Sequence, residues 1–410
     1  MADKAPFDEA GRWPLQGLKV LDMGQVYNGP YAGFLMAQAG ADVIKIEPLE
    51  GEAIRARGSS GEVPLAHVML NAGKRGIAIN LKSDDGKALF LDLVDKADVL
   101  LENFAPGAMD RLGIGSDVLL KRNPRLIYGS STGYGVWGEE KNNLAMDLTI
   151  QAYAGIMSTN GPADGPPLKA GLAVVDFLGG VHLYAALMTA LYERSVTGKG
   201  RVVEVAMQET ALTAQATSMT AMHLAGGAQP PRRGNNHPAG TSAPYNVYEC
   251  TDGHVAIICV RDNHWQALAR AMGRPEAATH PDFAESHARA THEARIDEMT
   301  EAWTRTLSKY EIARICKEQR VPAAPVRTLP EVAADQPLKT RRAMFDVDHR
   351  ELGKVTVPGS PLRFHGSPEP EWVVNPLLGE HTGEILEEWL GVSGDIVDGL
   401  AAAGIVGVSE

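Results

Sequence analysis

Cysteine is scarce: Cys250, Cys259 and Cys316 are the only three in 410 residues. They are too few and too scattered for a disulfide framework or a Cys-x-x-Cys metal site. No metal is therefore expected, and a reducing, cytoplasmic setting is. Positive charge is in deficit too, with 39 Lys and Arg against 51 Asp and Glu and a net charge of −12. Such a surface repels polyphosphate, which argues against nucleic acid as a partner, and any anionic ligand needs a local basic pocket. A bilayer-spanning run is not expected: the uncharged, strongly apolar stretch Phe177 to Tyr192 is about 16 residues against the about 18 to 20 required. It is expected to form a buried helix. The opening MADKAPFDEAGRW is too charged for a secretory segment, and the closing VGVSE matches no targeting signal, so no membrane association is expected. Internal repeats and low-complexity segments are absent as well. The segment GQVYNGPYAG has glycines at 24, 29 and 33 that do not make G-x-G-x-x-G, which weighs against a nicotinamide dinucleotide.

What is present is an ordinary globular composition, 44% hydrophobic and 22% charged, at a length that suits two or three domains. Short apolar runs alternate with helical patterns through the first third, the sequence sign of a parallel α/β sheet. LKVLDMG (18–24), ADVIKIE (41–47), RGIAINL (75–81), DVLLENF (98–104) and PRLIYGSSTGYG (124–135) read as strands. GPYAGFLMAQAG (29–40) and GKALFLDLVDKA (86–97) read as helices. Further on, 197–207 reads as a turn and strand, followed by a helix to about 225. The Pro/Gly-rich stretch 226–244 marks a domain boundary or an active-site loop. YNVYECTDGHVAIICV (245–260) reads as a hairpin turning at Asp252-Gly253, and helices follow to about 320. The strand GKVTVPGSPLRF (353–364) and the helix EHTGEILEEWL (380–390) close the pattern.

Such a sheet places ligands beyond the carboxyl ends of its strands. Several cations fall near strand ends: Arg55 and Arg57 after the second strand, Lys74 and Arg75 before the third, Arg111 after the fourth. Singly each reads as a surface charge, and together they could hold a phosphorylated ligand. Two carboxylates sit in apolar settings, Asp147 in LAMDLTIQAYAG and Asp176 in GLAVVDFLGG. A buried unpaired carboxylate is costly, and a helix N-terminus compensates it, so each reads on its own as an N-cap.

The chain resembles the class III CoA-transferases, the family of formyl-CoA transferase, carnitine CoA-transferase and the α-methylacyl-CoA racemases. The resemblance rests on GLKVLDMGQVYNGPYAG, ADVIKIEP, NAGKRGIAINL, DVLLENFAPGAMDRLGI, MDLTIQAYAG, DGPPLKAGLAVVDFLGG, ALYERSVTGKGRVVEVAM and APYNVYECTDGHVAI, in that order. It implies a Rossmann-like large domain over 1–200, completed by about 370–410. A linker helix over 201–225, a smaller α+β domain over 226–325 and a return linker over 326–369 make up the rest, in an interlocked homodimer. It also implies CoA-transferase activity between an acyl-CoA and an organic acid. CoA is then a substrate rather than a tightly bound cofactor.

The resemblance carries the nucleophile's role onto Asp176, with support from Asp147 and from backbone N–H groups near Gly179 and Gly180. CoA contacts are implied at Val26, Asn103, Phe104, Ala108, Arg111 and Lys74, with Tyr27, Asn28, Arg75 and Thr132 beside them. Tyr27 and Asn28 replace the Gln-Ala of formyl-CoA transferase, and Thr132 replaces a Lys, which argues against formate and oxalate. The loop 234–241, GNNHPAGT, stands where that branch has a glycine-rich lid and lacks its run of glycines. Arg232 and Arg233 beside it could clamp a dicarboxylate. In the racemase branch a histidine precedes the aspartate matching Asp147, and here Met146 stands instead, so proton transfer at an α-carbon is the second reading. His182 could replace that histidine or be a satisfied helix residue. A non-catalytic CoA-binding protein is the third reading.

Overall fold

The computed structural model describes residues 7–55 and 63–409, so Arg57 lies outside the described residues. The chain divides into two compact units. The first comprises Met1–Ile150, Leu172–Ala211 and Asp335–Glu410, and the second Gln151–Gly171 and Leu212–Ala334.

In the first unit the strands β1 (Lys19–Asp22), β2 (Asp42–Glu47), β3 (Arg75–Ile79), β4 (Val99–Glu102), β5 (Ile127–Thr132) and β6 (Arg201–Ala206) are all parallel. They stand in the order β3-β2-β1-β4-β5-β6. A short final strand, Val406–Gly407, pairs antiparallel with β3 at one edge. This is the doubly wound order, in which the direction of winding reverses between β1 and β4 and leaves a crevice at their carboxyl ends. Both faces of the sheet are covered, which is why its strands read as continuous apolar runs. Successive residues point to opposite faces: Leu21, Ile44, Ile77 and Leu100 meet Phe90 and Leu93 on one side. Val20, Val43, Val99 and Ile127 meet Leu183 and Leu187 on the other.

The helix holding those last two residues, Val174–Thr197, differs from its expectation. It is 24 residues long, enough to cross a membrane by length and composition, because it runs past the uncharged stretch at both ends and takes in Asp176, Glu193 and Arg194. Nor is it buried all round. Leu183, Leu187 and Ala190 face the sheet, whereas Val181 (38%), Tyr192 (75%) and Val196 (74%) are exposed.

The second unit has a three-stranded antiparallel sheet, β7 (Tyr245–Cys250), β8 (Gly253–Ile258) and β9 (Ala323–Pro325). Helices Asp262–Ala271, Glu293–Thr304 and Lys309–Glu318 pack on it around Tyr248, Ile257, Trp265, Ile296 and Ile312. Three spans differ from expectation. The span 201–206 is a sheet strand, not linker, because Arg201–Ala206 pairs with β5 over its full length. Residues 151–171 fall in the second unit, and 326–334 do so as well. From Asp335 the chain is back in the first unit, where 344–349 and 353–358 form a hairpin rather than a bare linker. The expected single helix to 225 is two, Met207–Ala214 and Ala216–Leu224.

Candidate active site

The crevice at the β1/β4 reversal is walled by a loop that other side chains hold in place. After β1, Gly24 N–H donates to Asp22 Oδ1 at 2.7 Å and Val26 N–H donates to Glu52 Oε2 at 2.9 Å. Asn103, just after β4, grips Gln25 twice: its Oδ1 accepts the Gln25 N–H at 2.7 Å and its Nδ2 donates to the Gln25 carbonyl at 2.9 Å. Lys45 Nζ reaches the Gly24 carbonyl and pairs with Glu52 Oε1 at 3.0 Å. Burial alone would raise Glu52, but the Lys45 ammonium, His67 and the Val26 N–H outweigh it and hold the carboxyl well below the usual range. These clamps keep Val26 at φ 65°, a left-handed conformation that a β-branched residue adopts only under constraint. Gln25 and Val26 thereby line the crevice.

Asp176 lines the same cavity, about 440 Å³, together with Asn103, Phe104, Thr132, Met146 and Met207. It is the third residue of the helix Val174–Thr197, so it is not the N-cap. The cap comes from elsewhere: Asp147 Oδ1 accepts the Val175 N–H at 2.9 Å and the Asp176 N–H at 3.4 Å. Asp147 thus caps a helix other than the one it begins, Asp147–Tyr153. Burial pushes the Asp176 carboxyl up, and the Asp147 charge pushes it further, to about 7. A carboxylate that binds its proton this readily is a stronger nucleophile once ionised.

Asp147→Asn tests this coupling. An amide oxygen still caps the helix, so stability is expected to hold within about 1 kcal/mol. Without the neighbouring charge Asp176 ionises at lower pH, and the acid limb of the kcat/KM profile is expected to move down, leaving several-fold more of the wild-type plateau at pH 6. An unmoved limb would show that the two carboxylates do not interact.

A second cavity of about 520 Å³ adjoins the first, and the two share Phe104, Ala105, Pro106, Arg111, Lys141 and Asn142. Ala108 lines the second. Arg111 and Lys141 have no ion-pair partner among the described residues, which suits them to an anionic ligand.

Other expected contacts lie elsewhere. Lys74 is 2% exposed, and its ammonium donates to Asp22 Oδ2 at 2.6 Å, Pro30 O at 2.9 Å and Asn71 Oδ1 at 3.0 Å. Burial pushes it down to about 8 despite Asp22, and no donor remains for a phosphate. Arg75 faces away from the crevice, paired with Asp42, Glu384 and Glu388. Arg55 is held by Glu47 at 2.7 Å. The Gly179 and Gly180 amides do not serve as donors either, because both lie inside the helix, where carbonyls four residues back take their N–H groups. Thr132 Oγ1 accepts the Gly135 N–H at 3.0 Å at the cavity wall. Tyr27 packs edge-on against Phe177 at 6.1 Å. His182 is exposed, with Nδ1 at 2.7 Å from the Leu178 carbonyl, and does not line the Asp176 cavity.

In the second unit both loop arginines are committed. Arg232 Nε donates to the Pro162 carbonyl at 3.2 Å, and Arg233 pairs with Glu293 at 2.6 Å. Asn236 ties the loop 234–241 to Glu293 at 2.7 Å and Asp297 at 3.0 Å. Sequence reasoning missed Gln25, Glu52, Lys141 and Met207. Only Glu52 carried a local signal, as an acidic residue between strand and helix near a basic cluster.

The sequence model of CoA-transferase family III matches residues 15–382. Formyl-CoA:oxalate CoA-transferase of Streptomyces coelicolor is 34% identical, over 96% of this chain and 99% of its own. Succinyl-CoA:mesaconate CoA-transferase of Haloarcula hispanica is also 34% identical, over 91% of this chain and 96% of its own. Among solved structures, a CAIB/BAIF family protein from Brucella suis superposes with a TM-score of 0.80 at 32% identity, covering 92% of this chain and 99% of that one. A doubly wound sheet with Asp176 in its crevice, matched over nearly its whole length by these proteins, places the chain in CoA-transferase family III.

Proposed function

We propose that the protein moves CoA from an acyl-CoA to a free organic acid, with Asp176 as the nucleophile. The observation that carries this reading is the Asp176 carboxyl itself, raised to about 7 at the wall of a crevice that Gln25, Asn103, Asn142 and Asn143 also line. The Asp176 carboxylate attacks the thioester carbonyl, the C–S bond breaks, and a mixed anhydride and CoA thiolate result. The thiolate then attacks the Asp176 carbonyl carbon and expels the donor acid, leaving an aspartyl-CoA thioester. An incoming acid reverses the steps, so thioester energy is kept. Relatives equally similar to this chain are named for oxalate and for mesaconate, so overall similarity does not select the acid.

Met146 supports transfer over racemisation, since a thioether at the cavity wall carries no proton. We also infer a homodimer, supported by the exposed apolar residues Val181, Tyr192 and Val196 on the long helix. The three free, buried cysteines support a reducing, cytoplasmic setting.

Mixing the protein with a panel of acyl-CoAs and free acids, with the CoA esters separated by chromatography, tests the reading. A new acyl-CoA without deuterium uptake at the α-carbon is expected. Deuterium uptake without transfer would favour the racemase, and a CoA-dependent rise in melting temperature with neither reaction would favour the binding protein. Arg111→Ala and Lys141→Ala are each expected to raise KM for the acyl-CoA about tenfold with kcat held within about twofold.

A further inference from the structure

Asn28 opens the helix Asn28–Ala37 and is 1% exposed, yet among the described residues neither its Oδ1 nor its Nδ2 has a hydrogen-bond partner. A buried amide left unsatisfied costs about 1–3 kcal/mol, and nothing in the resting protein offsets it here. The carboxamide fills the space that a side chain at position 179 would take: a Cβ on Gly179 would lie 2.2 Å from Asn28 Nδ2. Gly179 follows Asp176 by three positions, so the two share one face of the helix. Cα–Cβ bonds in a helix tilt towards its N-terminus, so the volume vacated at Gly179 lies on the Asp176 side. Gly179 is thus the notch in which the Asn28 amide sits, one helical turn from Asp176.

The usual donors for an oxyanion at this place are already engaged. Val174 N–H donates to the Leu172 carbonyl at 2.9 Å, and Phe177 N–H donates to the Ala173 carbonyl at 3.2 Å. The Val175 and Asp176 amides point at Asp147. The helix N-terminus therefore has no free amide for Asp176.

We propose that Asn28 is a catalytic residue whose Nδ2 donates to the Asp176 carbonyl oxygen while that carbon is tetrahedral. The assignment rests on the transferase reading above. When the CoA thiolate attacks the anhydride, a C–S bond forms at Asp176 Cγ and the carbonyl electron pair moves onto Oδ. Collapse restores the carbonyl, breaks the bond to the acyl carboxylate and releases it, so one negative charge enters and one leaves. The acceptor carboxylate makes the same oxyanion on the return, and Asn28 serves both passages. Attack of Asp176 on the incoming thioester develops its charge on the oxygen of the acyl carbonyl instead, and that step does not use Asn28.

Asn28→Ala separates a donor from a packing residue. Loss of one such donor lowers kcat by roughly 10²-fold. KM for the acyl-CoA is expected to stay within about twofold, and the melting temperature to hold or rise, since an unsatisfied buried amide has been removed. Asn28→Ser, which keeps a shorter donor, is expected to fall between wild type and Asn28→Ala in kcat. The CoA adduct on Asp176, followed by rapid quench and intact-mass measurement, is expected to form roughly 10²-fold more slowly in Asn28→Ala. Adduct formation at the wild-type rate in Asn28→Ala overturns the assignment alone, as does a kcat loss that only tracks a fall in the folded fraction. Failure of the wild-type chain to form any CoA adduct overturns the transferase reading, and the role of Asn28 with it.

Discussion

Asp176→Asn is expected to lower kcat by at least about 10⁴-fold and, at neutral pH, to make the protein more stable. The first effect follows because an amide cannot form the anhydride, and the cavity offers no second carboxylate in its place. The second follows from linkage. The Asp176 pKa rises from 3.8 to about 7 on folding, so below about pH 4 both states hold the proton and the group contributes nothing. Between about 4 and 7 the unfolded chain releases its proton while the folded one keeps it, and stability falls as pH rises; above about 7 the penalty is constant. The substitution removes this penalty. Its gain is therefore expected to grow from pH 4 to 7 and to reach on the order of 2 kcal/mol after discounting for the partial exposure of the group. Urea unfolding of both proteins at pH 4 and pH 8 measures it. The same ionisation predicts that kcat/KM of the wild type rises about tenfold per pH unit below about 7 and then levels.

Asp22→Asn is expected to destabilise the first unit by about 3–5 kcal/mol, because it strands the Lys74 ammonium in a fully buried site. Both side chains of that pair are fully buried. Asp22 also accepts the Gly24 N–H, so its loss loosens the loop that carries Gln25 and Val26. Lys74→Met removes the cation and leaves Asp22 with a single remaining donor, a similar imbalance. The pair removed together, as Asp22→Leu with Lys74→Met, is expected to cost less than the sum of the two single changes. Chemical denaturation measures all four proteins. The comparison also decides what Lys74 does: a residue gripping a CoA phosphate would raise KM on mutation and leave stability alone, whereas the structure predicts the reverse.

Lys74 illustrates why the site was only partly legible in the sequence. A lysine just before a strand, beside Arg75 and against an acidic background, has the local look of a phosphate contact. What consumes it is Asp22, 52 positions away and two strands over in the same sheet, and no local pattern records that pairing. The strands were legible because a doubly wound sheet buries both faces and leaves short apolar runs bounded by turns. Their order was implied by the resemblance rather than by the runs themselves. The resemblance puts residues 151–171 in the large domain; only contacts made within the second unit reveal the switch. Asp176 was legible as a carboxylate in an apolar segment. That Asp147 caps its helix, and that Gly179 makes room for Asn28 rather than donating its amide, depends on packing between helices that spacing cannot encode.

The central claim, covalent catalysis by Asp176, is tested most directly by intact-protein mass spectrometry after mixing with acyl-CoAs, then hydroxylamine treatment and peptide mapping. A CoA-sized adduct that hydroxylamine converts to a hydroxamate on Asp176, and that Asp176→Asn abolishes, is the predicted result. Turnover with the adduct on another residue, or an adduct that persists in Asp176→Asn, would contradict the account.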